Sequence, residues 1–199
     1  MKTNIILSGV GGQGILTIAA VLDTAALSEN LFIKQSEVHG MSQRGGAVQS
    51  HVRISDKEIF SDLIPEGKAD LILSVEPMEL LRYLPFLKED GWLVTDSEPF
   101  VNTNNYPDKN DLFDQIKKHP NNIIINATEI AKSIGNSKAA NMVLLGAASA
   151  TLPLSEESLL AAITELFQHK SERITNLNRE AFFEGKKVAE DFTNLATKK

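Results

Sequence analysis

A short apolar run stops on glycine at residue 9, and three further glycines follow before a helical pattern resumes at Ile15. The stretch Ile5-Ile-Leu-Ser-Gly9-Val-Gly-Gly-Gln-Gly14 reads as strand, tight turn and helix. That order limits the chain to folds in which a buried strand feeds a helix through a corner built of backbone. Gly9, Gly11 and Gly14 meet the G-x-G-x-x-G spacing. Such a corner lets the backbone approach a phosphate and aims the unpaired N–H groups of a helix N-terminus at it. Gly9, Gly11, Gly12, Gln13 and Gly14 are the candidate ligand-binding residues on this ground. The same glycines also suit a chain that needs only a sharp turn and close strand–helix packing, so the spacing alone leaves both readings open.

The rest of the chain repeats the alternation. Strands are predicted over Asn4–Ser8, Leu31–Gln35, Gly45–Ile54, Ala69–Val75, Trp92–Asp96 and Ile123–Ile125, from apolar or β-branched runs bounded by turn residues. The Ser55-Asp56 turn suggests that the Gly45–Ile54 strand folds back on Glu58–Phe60 as a hairpin, which would make the sheet mixed. Helices are predicted over Ile15–Leu27, from Pro77 to Leu87, over Asp111–Lys118, Ser137–Ala150 and Glu172–Phe192. One more starts at Ser155, which can cap it, with Leu154 and Leu159 as a hydrophobic staple. The Asp90-Gly91 pair reads as a turn, and 98–122 as a polar surface excursion. The sum is an α/β fold: one three-layer α/β/α domain over 1–199 with a mostly parallel, mixed sheet and a Rossmann-like start.

At 199 residues the chain buries enough surface to fold without a metal or disulfide, roughly 70% of the unfolded total. A net charge of −6 without clustered lysine and arginine argues against nucleic-acid binding. The chain has no cysteine, so it holds no thiolate-ligated iron–sulfur cluster, cysteine-ligated zinc, disulfide or cysteine nucleophile. The first core strand begins directly after the N-terminus and no apolar run approaches spanning length, so a cytoplasmic protein is expected.

In an open parallel sheet, ligands meet the carboxyl ends of the strands. Three segments should gather there: the glycine turn, the loop after the second strand, and the turn after Val75 carrying Glu76 and Pro77. The second runs Ser36-Glu-Val-His-Gly-Met-Ser-Gln-Arg-Gly-Gly46 and puts an acid, an imidazole, an amide and a guanidinium close together between glycines. Glu37, His39, Gln43, Arg44, Gly45 and Gly46 are candidates for an interface or the rim of an active site, with Arg44 suited to a carboxylate or phosphate and His39 to proton exchange. No residue is singled out as catalytic. His51 lies within a strand and reads as packed, His119 and His169 fall in polar surface stretches, and Asn141 reads as a buried amide with a structural role.

Two alternatives weaken on the residues themselves. Asp90-Gly91 with Asn121-Asn122 faintly echoes a thiamine-diphosphate signature, but Glu89 stands where a glycine is needed and a helix is expected to end there. An NAD(P)-dependent dehydrogenase wants an acid about 20 residues beyond the glycines, ending the second strand to grip a ribose. Glu37 is near that distance, yet it opens the glycine-flanked loop.

Gly9-Val-Gly-Gly-Gln-Gly14 together with Glu37-Val-His-Gly-Met-Ser-Gln-Arg-Gly-Gly46 resembles the gamma-type domain of the 2-oxoacid:ferredoxin oxidoreductases. Within that family the chain most resembles the small (beta) subunit of the indolepyruvate enzymes. Ala69-Asp-Leu-Ile-Leu-Ser-Val-Glu-Pro77, Asn141-Met-Val-Leu-Leu-Gly-Ala147 and Asn178-Arg-Glu-Ala-Phe-Phe-Glu-Gly185 extend the likeness along nearly the whole chain. The resemblance implies oxidative decarboxylation of an aryl 2-oxoacid with coenzyme A and ferredoxin. It also implies that a large partner subunit carries thiamine diphosphate and the iron–sulfur clusters, and that this chain is inactive alone. Coenzyme A is the candidate ligand of the glycine turn, and a homodimer is expected of the isolated chain.

Overall fold

A computed structural model describes residues 1–39 and 45–196, with side chains for all of these except His39 and 191–196. Six strands form one sheet: β1 (Lys2–Val10), β2 (Phe32–His39), β3 (Ala47–Ser55), β4 (Ala69–Ser74), β5 (Leu87–Asp96) and β6 (Asn122–Ile125). Their spatial order is β2-β3-β1-β4-β5-β6. β1, β4, β5 and β6 pair in parallel, and β3 runs antiparallel to both of its neighbours. Every strand except β3 therefore points the same way, which is the mixed, mostly parallel sheet expected from the sequence.

The reversed strand takes other partners than expected. Residues 58–60 form no strand, and β3 pairs instead with β1, from Lys2↔Ser55 to Val10↔Ala47, and with β2, from Phe32↔Ser55 to His39↔Val48. With both edges of β3 taken, the segment after it has no edge to join, and the buried Arg53 ties that segment down by side-chain bonds instead. Its guanidinium donates to the carbonyls of Ser61 and Leu63 at 2.7 and 2.9 Å and to Asn4 Oδ1 at 3.0 Å.

Helices α1 (Ile15–Ser28), α4 (Ala127–Ser133), α5 (Ala140–Ala148), α6 (Glu156–Phe167) and α7 (Glu172–Ala196) cover one face of the sheet. Ile5, Leu7, Val52, Leu71, Leu73 and Val94 supply the sheet side of that core. Helices α2 (Pro77–Arg82) and α3 (Lys109–Ile116) cover the other face, over Ile6, Ile72 and Leu93. Three layers result. Helix α6 starts as the sequence predicts, with Ser155 Oγ accepting from Ser158 N at 3.1 Å and Leu154 and Leu159 both buried.

Several boundaries move. The helix from Pro77 stops at Arg82, because Pro85 has no N–H to donate; a 3-10 turn over Leu84–Phe86 follows, and β5 begins at Leu87. Asp90 and Gly91 accordingly lie inside a strand, next to the register shift between Ala69 and Leu71, and not at a helix end or turn. The apolar stretch 137–150 is a true helix only over α5, with 3-10 turns on either side. Helix α4 adds to the expected elements; it is too short and weakly periodic to be read from sequence.

Candidate functional site

The carboxyl ends of β1, β4, β5 and β6 open on one edge of the molecule, and the glycine turn sits at its centre. Val10 and Gln13 close the turn reciprocally: Gln13 N donates to Val10 O at 3.1 Å, and Val10 N donates to Gln13 Oε1 at 2.7 Å. The Gln13 amide also reaches Val75 O at 3.4 Å, tying the turn to the end of β4. Gly9 is needed because a Cβ there would meet Val75 Cγ2 at 2.3 Å. Gly14 is the N-cap of α1 in the left-handed conformation, φ 81°, which L side chains rarely adopt. No side chain caps this helix and its first turn holds no acid. Its first N–H groups and the positive end of its dipole therefore face the cleft beside it.

That cleft has a volume of about 720 Å³. Thr17 and Asn141 stand on its α1 and α5 sides, Asp96 and Thr128 on its floor, and the exposed Lys138 and Lys170 on its rim. Asn141 is 5% exposed and bonded through both ends of its amide: Nδ2 donates to Gly14 O at 3.1 Å and Oδ1 accepts from Met142 N at 3.0 Å. The structural role expected for it is what the geometry gives, placed at the site. Asp96 accepts from Glu98 N, Ala127 N, Thr128 N and the Thr128 hydroxyl at 2.7–3.2 Å. Burial pushes its carboxyl above the ordinary aspartate value, and those four donors pull it back.

The loop candidates fall around this centre. The second strand runs past the expected Gln35 to His39, held by its pairing with β3, so Glu37 and His39 lie on β2 and not in the loop; Glu37 is exposed, and Gly45 and Gly46 lead into β3. Gln43 and Arg44 lie outside the described residues. The structure does bring the two glycine segments together, since Gly11 N donates to Gly46 O at 2.8 Å. Glu76, behind Val75, is fully buried and caps α2 by accepting from Glu79 N at 2.7 Å. The hydroxyl of Tyr106 donates to its other oxygen. Burial and that carboxylate push the Tyr106 phenol well above its usual range.

His51 is packed, as expected: Nδ1 accepts from Ile64 N at 3.0 Å, Phe86 stacks edge-on, and burial lowers its pKa. Asn121 Nδ2 donates to Asp90 O at 3.0 Å, so the two halves of the faint thiamine-diphosphate echo do touch. They meet where β6 begins, away from the carboxyl ends. The dehydrogenase alternative fails on topology. In a dinucleotide fold the second strand lies beside the first. Here β3 stands between β1 and β2, so Glu37 is two strands, about 10 Å, from the glycine strand.

Asp96, Thr128, Lys138, Lys170, Asn102 and Tyr106 were not picked out from sequence. Asp96 had a readable signal, ending an apolar strand at the functional edge; the others reach the edge only through tertiary packing. Among the described residues no group of three or more His, Asp or Glu side chains is placed to hold a metal, and no helix is long and apolar enough to cross a membrane.

The chain matches the pyruvate ferredoxin/flavodoxin oxidoreductase family over residues 4–188. It is 38% identical over 202 residues to the indolepyruvate oxidoreductase subunit IorB of Pyrococcus horikoshii, covering 96% of this chain and 98% of that one. Among solved structures it resembles the keto/oxoacid ferredoxin oxidoreductase gamma subunit of Geobacter sulfurreducens, with a TM-score of 0.69, 29% identity, and 95% and 99% of the two chains covered. The 2-oxoglutarate:ferredoxin oxidoreductase of Magnetococcus marinus, solved with 2-oxoglutarate, coenzyme A and succinyl-CoA bound, shares the fold at a TM-score of 0.75 and 22% identity. That match covers 96% of this chain but 31% of the other, so the present chain corresponds to about a third of a longer polypeptide.

Proposed function

The chain belongs to the pyruvate ferredoxin/flavodoxin oxidoreductase family, as a small subunit of a 2-oxoacid:ferredoxin oxidoreductase, and from that premise we propose that its enzyme oxidises an aryl 2-oxoacid of the indolepyruvate type. In that reaction the bond between the carboxylate and the keto carbon breaks and carbon dioxide leaves. The acyl carbon forms a thioester with coenzyme A, two electrons pass to two ferredoxins, and one proton is released. A large partner subunit supplies thiamine diphosphate for decarboxylation and iron–sulfur clusters for electron transfer. Having no cysteine, this chain adds no thiolate to a cluster.

The whole chain, 1–199, acts as one gamma-type domain whose own share is to bind and orient. The observation that carries this is the uncapped N-terminus of α1 opening on a cleft rimmed by Lys138 and Lys170. Phosphate groups of coenzyme A suit that donor set, with the Gly9–Gly14 corner giving backbone N–H groups and the two lysines giving charge. Glu37, His39, Gln43, Arg44, Gly45 and Gly46 form the rim that meets the large subunit. Without that subunit the chain pairs as a two-fold dimer, the commonest closed symmetry.

Reconstitution with the large subunit tests the reading. Indolepyruvate, coenzyme A and a viologen acceptor should give turnover only when both subunits are present, and indolepyruvate should outpace pyruvate and 2-oxoglutarate. Lys138→Ala with Lys170→Ala should raise the KM for coenzyme A by about tenfold or more, the loss of charge-assisted contacts. Turnover by this chain alone, or saturable binding of NAD in place of coenzyme A, would reject it.

A further inference from the structure

The segment from 97 to 108 forms neither helix nor strand, yet hydrogen bonds hold it along its length. Glu98 N donates to Asp96 Oδ1 at 3.0 Å at its start, and Asp108 caps α3 at its end by accepting from Asn110 N at 2.8 Å. Between these, the exposed Asn102 sends Nδ2 to Gly45 O at 2.8 Å, and the half-buried Tyr106 donates its hydroxyl to Glu76. Glu76 is an immobile anchor. It has no exposed surface, its carboxylate also caps α2, and its carbonyl accepts from Ser74 Oγ at 2.7 Å.

These bonds close a circuit around the mouth of the glycine turn. From Glu76 it runs through Tyr106 and Asn102 to Gly45, and through Gly46 O to Gly11 N. In the other direction it runs from Val75 O through the Gln13 amide to Val10 N. The glycine turn is thus held at both ends by hydrogen bonds that trace back to residues 75 and 76. Its own residues lack side chains except Val10 and Gln13, so most of its rigidity is borrowed.

We propose that Asn102 and Tyr106 are positioning residues for the glycine turn: the 97–108 segment is a strap that transmits the fixed place of Glu76 to the Gly45–Gly46 corner and, through it, to Gly11. The strap determines where the backbone N–H groups of the turn point. This rests on the proposal that the turn receives the phosphates of coenzyme A, and it adds residues outside the cleft to that site.

Asn102→Ala and Tyr106→Phe test it in the full chain assembled with its large subunit. Asn102 is exposed, so its truncation leaves the fold intact even if loss of the Tyr106 hydroxyl destabilises Glu76. Hydrogen exchange at the Gly11 amide should speed up by about tenfold in both variants, and the KM for coenzyme A should rise by a similar factor with kcat within about twofold. A purely structural role for Tyr106 would lower the melting temperature and the active fraction while leaving KM alone. Unchanged Gly11 exchange in both variants overturns the strap. So does an unchanged KM in both, where Lys138→Ala with Lys170→Ala raises it; if that lysine pair also leaves KM unchanged, the coenzyme A reading itself has failed, and Gly11 exchange still decides the strap.

Discussion

Asn141 and Gly14, 127 residues apart, are locked together: the Asn141 amide donates to the Gly14 carbonyl at 3.1 Å, and a Cβ on Gly14 would lie 2.5 Å from that amide nitrogen. The first turn of α1 is therefore seated against the first turn of α5. A hydrogen bond and a close contact act on the same carbonyl and α-carbon. Gly14→Ala should cost about 2 kcal/mol, from a strained left-handed backbone and displacement of the amide. Asn141→Ala should cost about 1 kcal/mol, because Gly14 O keeps Thr17 N and Ile18 N as donors. Urea unfolding of both single variants and the double variant checks this. The double variant should lose clearly less than the sum, since removing Asn141 relieves the clash.

Helices α5 and α7 touch at two glycines. A Cβ on Gly146 would fall 1.9 Å from the Phe182 carbonyl oxygen, and one on Gly185 would fall 1.8 Å from the Val143 carbonyl oxygen. Both neighbours are backbone, so neither can turn aside. Gly146→Ala or Gly185→Ala should push the helices apart and cost about 3 kcal/mol. A melting temperature within 2 °C of the parent, about 0.5–1 kcal/mol for a chain of this size, would show that the helices separate freely.

Asp23 gives a pH-dependent prediction. It is half-buried on α1, its Oδ1 has no hydrogen-bond partner among the described residues, and burial pushes its pKa up to about 6. The folded state therefore holds the proton more tightly than the unfolded chain. Between the unfolded value of 3.8 and about 6 the native state binds more protons, so this group lowers stability progressively as pH rises and costs most above about 6. Asp23→Asn should stabilise the chain by about 1 kcal/mol at pH 7, after allowance for solvent screening at a half-exposed position, and by nothing near pH 3. Urea midpoints at pH 4, 5, 6 and 7 measure the closing gap.

What the sequence made legible was what it encodes locally. The Gly9–Gly14 turn, the Ser155 cap and the apolar runs of β1 and β4 carry their own reasons, namely backbone freedom, a hydroxyl three residues from an N–H, and continuous burial. The fate of β3 was not local. Its two edges are taken by β1 and β2 in the assembled sheet, and nothing in the spacing of its own residues announces that. The same holds at the site. Lys138 and Lys170 share a cleft with the glycine turn only because α5, α6 and α7 stack on one face, and Tyr106 reaches Glu76 across a segment with no periodic pattern. Glu37, expected in the loop, lies on β2 because that strand runs four residues further along its pairing with β3, and sheet order, which sequence periodicity does not encode, is what removes it from ribose-binding reach.

The sharpest test of the rim is Arg44, whose surroundings lie outside the described residues but whose sequence neighbours Gly45 and Gly46 are tied to Asn102 and Gly11. If the Glu37–Gly46 rim meets the large subunit, Arg44→Ala should weaken assembly, or raise the coenzyme A requirement, by tenfold to a hundredfold. That is the cost of about 1.5–3 kcal/mol expected for a lost charge-assisted hydrogen bond to a buried partner. On that reading the isolated chain should change by under about 0.5 kcal/mol, the range of substitutions that touch neither core nor cap. Titrating the large subunit with each form, and melting each form alone, separates the two effects. Unfolding of the isolated Arg44→Ala chain, with an assembly defect no larger than that unfolding explains, would make the loop a structural element and remove it from the interface.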